Sequence, residues 1–359
     1  MINQMSIEKL KQLMHKYGNI IALILGCLFV MIGLTGLEIF LHMRSQAYGV
    51  VQTNFGDFIV SDPVLGNKGK PNYSGVNTLI KHGEVVYVTT YTLDESGHRH
   101  TPVGNPETRD IDALFFGCSF TFGLGVADEE TFPAVVGNKL LNVQPMNYAL
   151  FGYGPQHLYL QLHDPDFSAH TKNKKGFVIY TILGDHHNRL SGYGSWGDSW
   201  ANLPRLIPVD EHFEHRGFFG NPLDRIHLAR FVLFRTGYYQ RREESEEDRW
   251  QLCYQILQAS RDRLHDILPE FEFIVLVYPE SGPPEFVIEH IASLGIEVLD
   301  YNDLYDDLQW TDQDLWYDDM PTSNRGHPTA LAHKLVGERL SHDLADRITA
   351  ITMVDFYNY

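Results

Sequence analysis

The sequence is poor in cysteine and in basic residues, whose abundance would point to disulfide-rich, zinc-binding or nucleic-acid-binding proteins. It has only three cysteines among 359 residues: Cys27, Cys118 and Cys253. They lie far apart, so they form neither a disulfide framework nor the paired spacing of a zinc site. Basic residues are also scarce, with 28 Lys and Arg against 46 Asp and Glu, for a net charge of −18. Because phosphate binding relies on Lys and Arg, this balance argues against nucleic acid as a partner.

Charge is also nearly missing from one long segment. Residues 19–42 read NIIALILGCLFVMIGLTGLEIFLH, in which Glu38 is the one charged residue. The segment is long enough to cross a bilayer as a helix. Three lysines precede it: Lys9, Lys11 and Lys16. The positive-inside rule therefore predicts a single-pass anchor with the N-terminus in the cytoplasm and the rest of the chain outside. A cleaved signal peptide is the alternative, although the apolar stretch is longer than usual for one.

Strands that alternate with helices organise the remainder. Apolar runs predict strands at 113–116, 144–149, 177–183, 271–278 and 296–299, and helical patterns fall between them. This alternation predicts an α/β fold with a parallel, doubly wound sheet. The expected organisation is a cytoplasmic tail at 1–18, a transmembrane helix at 19–42, a stalk with a small β element at 43–110, the α/β domain at 111–346 with an insertion at 190–242, and a C-terminal tail at 347–359.

Candidate catalytic residues stand at the ends of predicted strands and before a helix. Ser119 follows the apolar run Ala113-Leu-Phe-Phe through Gly117-Cys118, and open α/β sheets bind ligands at this edge. A serine hydroxyl needs a base to take its proton, and His327 in Gly326-His-Pro is the best candidate. Pro328 at a first helical position would fix the loop that presents it.

Two further blocks suggest groups that bind an oxyanion or a substrate. The backbone N–H groups of Ser119 and Gly152 are candidate oxyanion donors. After the third predicted strand comes a polar block that could hold an oxyanion or a sugar: His186, His187, Asn188 and Arg189. The alternatives are a loop tied by an Asp185–Arg189 ion pair or a metal site. The metal reading is weak because two adjacent histidines lack a third well-spaced ligand.

The order of these blocks resembles the SGNH (GDSL-like) hydrolase superfamily. The residues that carry the resemblance are Gly117-x-Ser119, the glycine of Gly152-Tyr-Gly154, the polar block after Gly184 and Gly326-His327. It looks most like the membrane-anchored members associated with bacterial polysaccharides, which implies an anchor in a bacterial inner membrane and a periplasmic catalytic domain. The resemblance implies a flavodoxin-like α/β/α three-layer sandwich, no metal and no cofactor. It also implies Ser119 as nucleophile, His327 as base, and an oxyanion hole from Ser119, Gly152 and either His186 or Asn188, with His187 and Arg189 binding substrate.

The chain departs from the family pattern where the triad acid is expected. Asn324 and Arg325 stand two or three residues before His327, where the family has Asp. Asn324 is therefore the predicted partner of the imidazole, and a fold-back of Asp318 or Asp319 is the alternative. Cys118 also replaces the Asp of Gly-Asp-Ser, a tolerable change.

These observations together predict a function in acyl-ester chemistry. The expected protein is a membrane-anchored extracytoplasmic serine esterase or O-acyltransferase that acts on acyl, especially acetyl, esters of a glycan or an acylated small molecule. The alternative is an inactive SGNH-like protein that binds glycan or scaffolds polysaccharide-assembly proteins.

Overall fold

The computed structural model describes residues 2–46, 50–53, 57–197, 202–210, 212–220, 223, 226–238, 244–306, 309–320 and 325–357. The strands are β1 (Val50–Thr53), β2 (Ile59–Asp62), β3 (Gly66–Gly69), β4 (Ser74–Lys81), β5 (Glu84–Thr92), β6 (Ile111–Phe116), β7 (Val143–Asn147), β8 (Gly176–Ile182), β9 (Pro204–Val209), β10 (His212–Phe218), β11 (Phe271–Val277) and β12 (Glu297–Asp300). The helices are α1 (Ile2–Gln46), α2 (Ser119–Phe122), α3 (Phe132–Lys139), α4 (Pro155–Leu162), α5 (His186–Ser191), α6 (His227–Arg235), α7 (Glu246–Ile267), α8 (Glu285–Ser293), α9 (Asp312–Leu315) and α10 (Ala330–Tyr357).

The central sheet has five strands in the order β7-β6-β8-β11-β12, and every neighbouring pair is parallel. Renumbered along the chain, this order is 2-1-3-4-5, which is the flavodoxin-like arrangement. All six residues of β6 and all seven of β8 are buried. Parallel strands covered on both faces are apolar along most of their length, which is why these two strands show no alternation of polar and apolar residues. Asp112 of β6 is the charged exception, and its carboxylate accepts the backbone N–H groups of Lys172 and Asn173. The predicted α/β fold is confirmed.

Helices cover both faces of this sheet. On one face, α4, α7 and α8 pack on Leu114 and Val178, which belong to β6 and β8. On the other face, α3 and α10 pack on Ala113 and Ile179 of the same two strands. Adjacent residues of a strand therefore point into different cores, as the period of two requires. The result is a three-layer α/β/α sandwich.

The β element that precedes the sandwich contains five strands among the described residues. Strands β1, β4 and β5 form an antiparallel sheet, and β2 and β3 form a hairpin. The element packs on the sandwich through Phe58 and Tyr91, which join Phe122 in one buried cluster. Arg99, only 1% exposed, ties the two parts together by donating to Asp128 Oδ1 at 2.7 Å and to the Val126 carbonyl oxygen at 2.8 Å.

A second compact unit consists of residues 1–48 and 223–236. Its helix α1 contains the predicted span, and residues 15–43 are long and apolar enough to cross a membrane. Helix α6 of the same unit comes from the predicted insertion, whose other described elements are the hairpin β9–β10 and short helical turns. At the other end of the chain, α10 continues to Tyr357, past the boundary expected at 346.

Candidate active site

Ser119, His327 and Asp319 form a hydrogen-bonded chain at the carboxyl edge of the sheet. The Ser119 Oγ atom lies 2.9 Å from His327 Nε2, and His327 Nδ1 lies 2.7 Å from Asp319 Oδ2. A carboxylate only accepts hydrogen bonds, so Nδ1 carries the proton and Nε2 is left to accept the serine hydroxyl. The second carboxylate oxygen of Asp319 accepts the backbone N–H of His327 at 3.0 Å. The arrangement matches the roles of a Ser-His-Asp triad.

Ser119 occupies a strand-to-helix turn that the local sequence dictates. Strand β6 ends at Phe116, and Ser119 is the first residue of α2. Gly117 between them has a φ of +152°, and a Cβ there would lie 2.2 Å from Thr121 Oγ1. Only glycine therefore permits this close turn. Cys118, which follows Gly117 in this turn, is fully buried in the core.

A paired backbone segment brings the triad acid to His327. The N–H of Tyr317 donates to the His327 carbonyl oxygen at 2.8 Å, and the N–H of Gly326 donates to the Tyr317 carbonyl oxygen at 2.9 Å. This antiparallel pairing folds Asp319 back although it precedes the base by eight positions. Pro328 pairs with Trp316 in an isolated bridge instead of opening α10, which starts at Ala330.

The predicted partner Asn324 lies outside the described residues, and a carboxylate occupies the position next to Nδ1. The side chain of Asp319 is 1% exposed, whereas that of His327 is 17% exposed. The sequence alternative in which Asp319 folds back therefore agrees with the geometry. Arg325 points away from the imidazole, with ion pairs to Asp312 and to Glu280.

Lys81 of the β element holds the segment 318–320, which contains the triad acid Asp319. The sequence did not reveal this contribution. Its Nζ atom, on a residue 9% exposed, donates to Asp318 Oδ1 and to the Met320 carbonyl oxygen at 2.8 Å. These two acceptors flank Asp319 in sequence, so one buried ammonium group holds both neighbours of the triad acid. A lone lysine at the end of a strand carries no sequence signal for such a role.

A cavity of about 570 Å³ opens in front of Ser119 and His327. Gly152 lines it with a φ of +78°, a conformation that favours glycine. Ser119 is at the start of a helix, where its N–H has no intrahelical acceptor. Both predicted backbone oxyanion donors thus belong to residues that border the same space as the serine hydroxyl.

The structure does not bring the predicted side-chain donors into this cavity. The His186 ring is fully buried, and its Nδ1 lies 2.7 Å from the Tyr180 hydroxyl oxygen. Burial, followed by the charge of Arg189, holds its pKa well below the usual range. His187 stacks on Trp250 at 4.2 Å between ring centroids. His186, His187 and Asn188 are absent from the cavity lining.

The other two members of the polar block do line the cavity. Asp185 and Arg189 are joined by an ion pair at 3.1 Å, which is the alternative that the sequence left open. Residues four apart share a helix face, so 185 and 189 face the cavity while 186–188 turn elsewhere. Arg189 also donates to the Tyr153 carbonyl oxygen at 2.6 Å and stacks on Trp196 at 4.4 Å. Arg189 therefore lines the cavity with its guanidinium group held in place by these three contacts.

Among the described ranges, no group of three or more His, Cys, Asp or Glu side chains is placed to hold a metal ion.

No family model and no curated protein matches the chain. Solved structures do. One is a protein described as lipolytic, of the G-D-S-L family, from Desulfitobacterium hafniense, with 16% identity, coverage of 65% of this chain and 99% of that one, and a TM-score of 0.37. A lipolytic G-D-S-L family member from Veillonella parvula has 11% identity, coverages of 64% and 94%, and a TM-score of 0.35. A family two carbohydrate esterase from Clostridium thermocellum, solved with cellohexaose, has 12% identity, coverages of 69% and 67%, and a TM-score of 0.35.

Nothing about the activity or the substrate of this chain follows from these similarities. The strand order of the central sheet is flavodoxin-like independently of these comparisons. The blocks that contain Ser119, Gly152 and Gly326-His327 lie together at one edge of this sheet. The predicted flavodoxin-like α/β/α fold is confirmed by the strand order of the central sheet.

Proposed function

We propose that this protein is a membrane-anchored serine esterase or O-acyltransferase that acts on acyl esters of a glycan. The observation that carries the proposal is the hydrogen-bonded chain from Ser119 through His327 to Asp319 at the mouth of an open cavity. A serine so paired is activated as a nucleophile, and acyl transfer is the reaction that such triads perform.

The mechanism follows from the proton positions. As Ser119 Oγ attacks the ester carbonyl, its proton passes to His327 Nε2, and Asp319 stabilises the imidazolium through Nδ1–H. The N–H groups of Ser119 and Gly152 are proposed to receive the developing oxyanion. When the tetrahedral intermediate collapses, His327 gives its proton to the departing alcohol, which leaves an acyl group on Ser119. Water or a sugar hydroxyl then attacks the acyl-enzyme, with His327 again acting as base.

The cavity supports an ester whose alcohol part is large. Its volume of about 570 Å³ lies within the usual range for ligand sites, and an acetyl group would fill only a small part of it. Apolar side chains form much of its wall: Leu79, Leu124, Phe151, Trp196 and Met320. The Asp185–Arg189 pair adds polar groups at one side, and the combination of aromatic and polar walls suits a sugar ring.

The proposal is tested on the full-length protein in detergent micelles. A fluorophosphonate probe is expected to label the wild type and the Ser281→Ala variant, and to fail with Ser119→Ala. Ser281 is the matched control because it lines the same cavity. The same three proteins are assayed for hydrolysis of a nitrophenyl acetate ester. Labelling that persists in Ser119→Ala contradicts the nucleophile assignment.

Hydrolysis and transfer are separated in the same assay. Addition of an oligosaccharide acceptor diverts the acyl group to the sugar in a transferase, and mass spectrometry detects the acylated product. A hydrolase releases free acid at an unchanged rate. The non-catalytic alternative was favoured by the lack of a carboxylate just before His327 in the sequence. In the structure, the carboxylate of Asp319 lies next to His327 Nδ1. Glycan binding by a wild type that neither turns over esters nor takes the probe would favour that alternative.

A further inference from the structure

Glu38, the one charge within the predicted span, caps helix α6. Its carboxylate oxygens accept the backbone N–H groups of His227 at 2.6 Å and Leu228 at 2.5 Å. The first N–H groups of a helix have no intrahelical acceptor, and negative charge is favourable there. His42 lies one turn further along α1, and its Nδ1 is 3.1 Å from Nε2 of His227. These contacts fix the start of α6 beside one end of the apolar segment.

The position of Glu38 along α1 sets the depth of this contact. Residues 17–37 contain no Asp, Glu, Lys or Arg. At about 1.5 Å per residue this stretch is about 31 Å long, which matches the hydrocarbon thickness of a bilayer, about 30 Å. Lys16 and Glu38 therefore bracket the hydrocarbon region, and Glu38 stands at its boundary. Because Glu38 bonds directly to the first residues of α6, that helix begins at the same level.

The composition of α6 suits this boundary. Its sequence is HLARFVLFR, and its side chains Phe231 and Val232 are 45% and 47% exposed. In a protein of net charge −18, residues 226–238 contain no acidic residue and carry Arg230 and Arg235. Exposed apolar side chains together with arginine are typical of helices in the membrane interface, where the guanidinium groups reach lipid phosphates.

We infer that α6 lies in the headgroup region of a phospholipid bilayer, beside the Glu38 end of α1, and that Glu38 holds it there. The anchor would then consist of a spanning helix and an interfacial helix joined by a carboxylate cap. The inference goes beyond the catalytic proposal and rests on the proposal that α1 spans a bilayer.

Lipid-borne quenchers test this placement in full-length protein reconstituted into phospholipid nanodiscs. Cys118 and Cys253 are buried, so a Cys27→Ser background leaves no exposed native thiol. Single sites Val232→Cys and Phe29→Cys are labelled with an environment-sensitive fluorophore. Phe29 is an exposed position of α1, at 78%.

The label at Val232→Cys is expected to be quenched at least threefold more by a nitroxide near the headgroup than by one near the chain end. The label at Phe29→Cys should show the reverse. If Phe29→Cys is quenched and Val232→Cys is not, water or protein covers α6 and the inference fails alone. If neither is quenched, the membrane anchor fails as well, while esterase activity remains a separate question.

A second measurement addresses the cap. In Glu38→Ala, headgroup quenching at Val232→Cys should fall at least twofold, while quenching at Phe29→Cys stays unchanged. Unaltered quenching at both sites would remove Glu38 from the inference.

Discussion

Replacement of Asp319 by asparagine tests the triad most directly. Asp319 makes two contacts with His327, one to Nδ1 at 2.7 Å and one to the backbone N–H at 3.0 Å. Both partners are donors, so both carboxylate oxygens act as acceptors. The asparagine amide retains one acceptor and replaces the other with an NH₂ group.

Neither orientation of that amide restores the site. If NH₂ faces the backbone N–H, two donors oppose each other and a hydrogen bond is lost. If NH₂ faces Nδ1, the ring must accept there, and its proton moves to Nε2. The imidazole then holds the wrong tautomer to take the proton of Ser119.

The same substitution in a chymotrypsin-like triad lowers kcat by about 10⁴. Each factor of ten corresponds to about 1.4 kcal/mol, so about 5 kcal/mol of transition-state stabilisation depends on this contact. For Asp319→Asn we expect kcat for a nitrophenyl ester to fall about 10³- to 10⁴-fold, with a nearly unchanged KM.

Asn324→Ala is the matched comparison, because the sequence assigned the role of the acid to Asn324. It should retain kcat within about twofold, an expectation based on the triad tautomer argument. Both variants are checked by circular dichroism and thermal melting so that loss of fold is recognised. An Asp319→Asn variant with wild-type kcat, or an inactive but folded Asn324→Ala, would refute the reasoning.

Three further predictions concern the surroundings of the triad. A Cβ on Gly326 would lie 1.6 Å from Asp319 Oδ1, so Gly326→Ala should lower kcat at least about 100-fold. Gly104→Ala is the control, because a Cβ on Gly104 meets no atom within 4 Å, and its kcat should not fall. Lys81→Met should lower kcat about tenfold with little change in KM, as expected for the loss of a charge-assisted hydrogen bond that positions the acid; an unchanged kcat would reduce Lys81 to a structural role. Burial lowers the pKa of His157 to about 3 from an unfolded value near 6.5, so the unfolded state binds the extra proton and stability declines as pH falls through 6.5. Urea titrations at pH 7 and pH 5 measure this effect as a change in the free energy of unfolding. Between these two pH values the wild type should lose about 2 kcal/mol more of its free energy of unfolding than His157→Asn does, and equal losses would contradict the lowered pKa of His157.

The sequence predicted the parts of the site that depend on strand ends. Ser119 follows a buried strand and His327 precedes a long helix, so their places were set by elements that apolar patterns reveal. Local backbone pairing decided the rest. Asp319 reaches the base because Tyr317 and Gly326 pair, and no pattern of side chains encodes that pairing.

The sequence predicted the side-chain directions of the polar block after β8 less well. A cluster of polar residues at a strand end predicted several cavity-facing groups, yet α5 begins at His186. A helix turns by about 100° per residue, so consecutive side chains diverge. His186 therefore points to Tyr180, whereas Asp185 and Arg189 border the cavity. The fold class was more predictable because continuous apolar runs and their spacing are properties of whole elements.

The paired segment before His327 has a consequence for how related sequences are classified. A signature that demands a carboxylate at a fixed distance before the histidine would label this chain as lacking an acid. Backbone pairing between Tyr317 and Gly326 brings Asp319 to the histidine from eight positions upstream, so this contact does not depend on the short spacing that the signature demands. The glycine beside the histidine is the more informative marker, because its missing side chain leaves room for a returning carboxylate. Sequences with a Gly-His pair and an Asp further upstream deserve assay before they are counted as inactive.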